Sequence, residues 1–274
     1  MTDEPPIFLS PPAAPPPPPP PVPSSALEPG PSPVPETRPV IGWGMGDVLI
    51  GLVLWLIGGI AATVIVIATT GSSESIELAD LGLGAIVVSL VAGWPGFLGW
   101  PIIATWFKGQ RSLSRDFGLR VRPVDIGWGI LGGVCGLAFS VIAGVLWGVL
   151  SDAPGPTNAD FLPARPSGVT AVLLLALVAV CTPVVEELFF RGLFLRSVGR
   201  RLGLPWAVVI SSVAFGLLHF QGTGLHGLFI SGVTATYGAA FALLVVRVGG
   251  RLGPAIIAHM VVNGVGVISA LYLV

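Results

Sequence analysis

Glu186, His219, His259 and Asn263 lie within long apolar stretches, where polar side chains are expensive. A charged group at the centre of a bilayer costs about 2.5–3.5 kcal/mol on insertion scales, so such residues mark function. They occur in three short patterns: Pro183-Val-Val-Glu186-Glu187-Leu-Phe-Phe-Arg191, Phe215-Gly-Leu-Leu-His219 and His259-Met-Val-Val-Asn263. Peptide hydrolysis needs an activated water, a proton shuttle and donors for a developing oxyanion. A glutamate beside a histidine can hold and deprotonate a water, and a second histidine with a nearby carboxamide can donate to the oxyanion. The same Glu186, His219 and His259 could instead ligate zinc, which would lower the pKa of a bound water. The HExxH pattern of soluble zinc proteases is absent.

Helical spacing sorts these groups. Glu187 and Arg191 are four residues apart and share a helix face, so they can pair. Glu186 points about 100° away and is less well neutralised. His259 and Asn263 are also four apart and project into one space. Pro183 is expected to free backbone groups near the acidic pair. Taking Arg200, Gly203 and Arg251 as helix ends puts Glu186 at a depth of roughly 21 Å, His219 at roughly 24 Å and His259 at roughly 12 Å. A tilt or kink must therefore bring them level. His226 reads as a connector residue. Cys135 and Cys181 sit in apolar runs and read as small hydrophobes, not as a disulfide or a nucleophile.

The elements that must position these residues are membrane helices. The chain is 53% hydrophobic and 10% charged, against roughly 25% charged in soluble domains. Its net charge of −1 offers nothing to nucleic acid. Seven apolar segments are expected, at 47–70, 81–107, 124–150, 168–197, 203–221, 226–247 and 252–273, each near the length that crosses a bilayer. Short connections among the last three leave six or eight spans open. Pro95 and Pro101 predict a kink or break in the second span. The fourth is longer than a bilayer needs and must project or tilt. Gly129, Gly132, Gly133 and Gly136 predict close helix packing along the third.

The expected fold is all-α, a polytopic bundle of about seven helices in three regions. Residues 1–39 form a tail holding 17 of the 27 prolines, which reads as disordered, with no partner indicated. Residues 40–167 supply the first membrane helices, and 168–274 supply the core that carries the chemistry. Twelve of the thirteen basic residues fall on alternate connections that lie on one side, so the N-terminus is expected to be cytoplasmic. The basic connection 108–122 reads as topology control, with contact to anionic lipid as the alternative.

The ordered set Glu186-Glu187-xxx-Arg191, Phe215-xxx-His219 and His259-xxx-Asn263 resembles the signature of CAAX prenyl endoproteases and their bacterial relatives, the bacteriocin-processing and abortive-infection-type membrane proteins. The resemblance covers roughly 168–274. It implies an intramembrane endopeptidase in which Glu186 and His219 activate the water. His259 and Asn263 would hold the oxyanion, and Arg191 would orient Glu187. It implies a metal-free glutamate mechanism, with zinc on Glu186, His219 and His259 as the alternative. The substrate would be a membrane-associated peptide or protein segment. Prenylated substrates are not expected, because the composition is that of a high-GC bacterium. A non-catalytic scaffold or immunity-type protein, and a proton-coupled transporter, are the competing functions. A transporter predicts internal repeats, and no convincing ones are visible.

Overall fold

A computed structural model describes residues 41–70, 83–153, 155–156, 162–163 and 165–272. The proline-rich tail lies outside them. The described residues form eight helices and no strand. They are α1 Met45–Thr70, α2 Leu83–Lys108, α3 Leu113–Phe117, α4 Pro123–Ser151, α5 Gly168–Leu202, α6 Leu204–Leu217, α7 Gly224–Arg247 and α8 Gly253–Tyr272. All but α3 and α6 are long and apolar enough to cross a membrane, so this is a multi-pass membrane protein.

The expected fifth span differs. Its helix, α6, has 14 residues and rises about 21 Å, short of a hydrocarbon core of about 30 Å. The chain leaves the helix after Leu217 and turns through Gly222, whose φ of 72° suits glycine. Close packing holds α6 against α7: a Cβ on Gly216 would meet the Ser231 carbonyl at 2.3 Å, and one on Gly238 would meet the Ser212 Cα at 3.1 Å.

Proline acts in α2 as expected. Its first segment ends at Val91, a turn follows, and Pro95–Gly99 continues as a π-helix before Trp100–Lys108. In α4, Gly129 and Gly133 face α8, where an added Cβ would come within 2.5 Å of Ile257 and 2.7 Å of Val261. Gly132 meets Leu244 and Gly136 meets Tyr237 on α7. Gly133→Leu should therefore break the α4–α8 contact, costing about 1–3 kcal/mol or more. Gly127→Leu, with open space around it, should melt like wild type. Thermal melting of the two detergent-solubilised variants checks this, and equal melting would contradict the packing assignment.

The basic residues gather at one end. Lys108 pairs with Asp47 at 2.7 Å and Arg251 pairs with Asp125 at 2.6 Å. Arg200 stacks on Trp43 and donates to its carbonyl. The 108–122 connection is folded: Ser112 caps α3, Asp116 accepts from Thr105 Oγ1 and the Gln110 amide, and Phe117 is fully buried. Arg196 donates to the carbonyls of Phe117 and Gly250, tying this cap to α5 and to the α7–α8 turn.

Candidate active site

The site is built on α5, which is not a uniform helix. Two π-helical segments, Leu175–Cys181 and Leu188–Phe194, flank the α-helical turn Thr182–Glu187. Such segments are uncommon and concentrate at functional sites. The first has a chemical cause in Pro183. The Thr182 amide bonds the Leu177 carbonyl, five residues back. The next amide in that register would serve Val178, but Pro183 has none. The Val178 carbonyl is thus left for a side chain, and Asn263 Nδ2 donates to it at 3.0 Å. This fixes the carboxamide while leaving its second N–H and its oxygen for other partners.

Glu187 is the hub. Its Oε1 accepts from Arg191 Nη1 at 2.8 Å and from His259 Nδ1 at 3.0 Å. All three side chains are buried. Arg191 also donates to the Gly238 carbonyl on α7 and lies 4.5 Å over the Phe215 ring. A carboxylate only accepts, so His259 Nδ1 carries a proton and Nε2 is the free edge of the ring. That edge faces Glu186 Oε2 at 3.7 Å, beyond direct hydrogen-bond length. Glu186 is 16% exposed, and its Oε2 finds no hydrogen-bond partner among the described residues.

His219 joins through an aromatic wedge. Phe215, one turn earlier on α6, has its ring centroid 4.7 Å from that of His219 and 5.8 Å from that of His259. Phe241 stacks on the other face of the site, 5.0 Å from His259. His219 Nδ1 donates to the Phe215 carbonyl at 2.7 Å, which leaves Nε2 as its free nitrogen. His226 instead packs on Trp147. Among the described residues Cys135 and Cys181 are free thiols.

The expected depth mismatch disappears because the reference ends were wrong. Arg196, not Arg200, is level with the α7–α8 turn, since it bonds Gly250. From those two residues, Glu186 and His259 are both about 14–15 Å along their helices. Gly199, three residues outside Arg196, packs beside Ala207 on α6, and the twelve residues from Ala207 to His219, less those three, place His219 at about 14 Å as well.

By this count Glu186, Glu187, His219 and His259 fall in one layer, with Arg191 about one turn nearer the basic end and Asn263 about one turn deeper. Glu187, Arg191 and His259 are buried and interlocked. Glu186, His219 and Asn263 keep partial exposure. Spacing did not reveal the Glu187–His259 bond, the Val178 acceptor or the Phe215 and Phe241 walls. Only the Phe215 position in the second pattern hinted at the wedge. Among the described residues no three His, Cys, Asp or Glu side chains are grouped as metal ligands.

No curated protein and no solved structure matches the chain. One family model does, over residues 168–265, the stretch that carries every side chain of this layer; it describes type II CAAX prenyl endopeptidases of the Rce1-like kind. Residues 168–265 are accordingly an Rce1-like CAAX prenyl endopeptidase domain, set in a multi-pass membrane protein.

Proposed function

We propose that the chain is an intramembrane endopeptidase that hydrolyses a peptide bond of a membrane-associated substrate by a metal-free, glutamate-dependent mechanism. The observation that carries this reading is the division of labour between adjacent carboxylates. Glu187 Oε1 is taken by Arg191 and His259 while its Oε2 is unbonded, whereas the Glu186 carboxylate makes no hydrogen bond at all among the described residues and lies next to an imidazole edge. A carboxylate kept for structure would be bonded.

In this mechanism Glu186 accepts a proton from a water as the water's oxygen attacks the peptide carbonyl. His219, held by the Phe215 carbonyl, takes that proton from Glu186 at Nε2 and passes it to the leaving amine as the C–N bond breaks. To donate to the oxyanion together with the remaining Asn263 N–H, His259 must carry a second proton, on Nε2, beside the one that Nδ1 gives Glu187. Asn263→Ala should lower turnover by about 10²–10³-fold, as loss of one oxyanion donor does elsewhere, with little change in KM. An unchanged rate would remove Asn263 from the reaction.

The basic end is assigned to the cytoplasm, which makes the N-terminus cytoplasmic. The substrate class follows from the setting: the layer lies about 14 Å inside that end, so the substrate must enter from the bilayer or its surface. Membrane proteomes of cells carrying wild type or Glu186→Ala test the function. Peptides produced only by wild type, and remade by the purified enzyme, support a protease. Identical proteomes with an identical cellular phenotype would favour a scaffold.

A further inference from the structure

A second cavity, of about 520 Å³, opens at the basic end and is separate from the free edges of Glu186 and His219. Arg115, Arg196 and Arg200 line it, with Arg191 on its wall and Asp116 as its one acid. Asp116 is already satisfied by Thr105 and Gln110, so its acceptor capacity is spent within the cap. Arg120 adds a further cation within electrostatic reach of Arg196. The guanidinium donors are not used up. The Nε atoms of Arg191 and Arg196 are buried and find no hydrogen-bond partner among the described residues, and Arg191 is fully buried. Arg115 bonds through its backbone to Ser112, and its guanidinium makes no hydrogen bond or ion pair among the described residues.

Asp116 offsets part of the charge on Arg196 and Arg200, but three cations against one acid leave the cavity net positive and favour an anion there. Arginine forks match the oxygens of phosphate, and charge-assisted bonds of this kind are strong. The location fits as well, since basic pockets between membrane helices at the cytoplasmic surface hold phosphorylated head groups. From the cavity, its excess of arginines over acids and their unpartnered donors, we infer that this pocket binds a phosphate group, from a phospholipid head group or a free phosphate. Gly250, whose carbonyl Arg196 holds, lies on the same wall. The ligand therefore bridges the 108–122 cap to the α7–α8 turn and stabilises the folded bundle. This inference does not depend on proteolysis.

The test uses the full chain in neutral detergent, read by thermal melting. One arm titrates inorganic phosphate, with chloride at matched ionic strength as control. The other adds phosphatidylglycerol or phosphatidylcholine to the micelles. A saturable rise in Tm with phosphate, with phosphatidylglycerol or with both is expected, and the arm that responds names the source. Arg115→Gln, which breaks no internal side-chain bond, should weaken half-saturation by about tenfold. Arg201→Gln, the same charge change outside the cavity, should leave it unaltered. No saturable rise in either arm, or equal weakening in both variants, would overturn the assignment.

Discussion

Glu186→Gln is expected to abolish peptide-bond cleavage, by about 10²–10⁴-fold as for loss of a general base, while the protein melts as wild type does. The two halves of this result come from one geometry. The Glu186 carboxylate makes no hydrogen bond that the bundle depends on; its nearest polar partner is His259 Nε2 at 3.7 Å. Exchanging one oxygen for an NH2 therefore takes nothing from the fold. It does remove the carboxylate placed to take a proton from water beside that imidazole edge. Cleavage of a peptide recovered from the membrane-proteome comparison, followed with purified variants, gives the rate. A Glu186→Gln enzyme with wild-type turnover would show that the reaction, if there is one, does not run through this carboxylate.

The pairing of Glu187 with Arg191 could be read from the sequence because an i, i+4 contact is a local property of a helix. The same is true of the glycine face of α4 and of the role of Pro183, whose missing N–H has a consequence within one turn. The bond between Glu187 and His259 was not legible. It joins residues 72 apart and depends on how α8 packs against α5. The misjudged depths have the same origin. Arg200 and Arg251 look like matching ends until tertiary contacts show Arg196 on Gly250. The π-helical segments of α5 were also hidden, because apolar residues surround them on every side and leave no periodicity to read. The 108–122 connection did carry a sign of its folding. A phenylalanine between basic residues, preceded by Ser112 and followed by Gly118, is the pattern of a short capped helix with something to bury.

Breaking the Glu187–Arg191 pair should have the larger effect on stability. Each partner is fully buried, so Glu187→Ala leaves a guanidinium without its counter-charge, and Arg191→Ala leaves a carboxylate likewise. Either should cost about 3–5 kcal/mol. The double variant Glu187→Leu/Arg191→Met removes both charges while keeping apolar volume, and should recover most of that loss. Its activity should not recover. His259 Nδ1 loses its acceptor in the double variant, so the ring is free to turn or change tautomer, and turnover should stay down on the order of 10³–10⁴-fold, as when a histidine's orienting carboxylate is replaced. Melting and cleavage measured on the three variants separate the two roles. If the double variant recovered both stability and turnover, the pair would be a dispensable ion pair, and His259 would be positioned by Phe215 and Phe241 alone. If it recovered stability only, Glu187 would be the residue through which the packing of α5 sets the chemistry of α8.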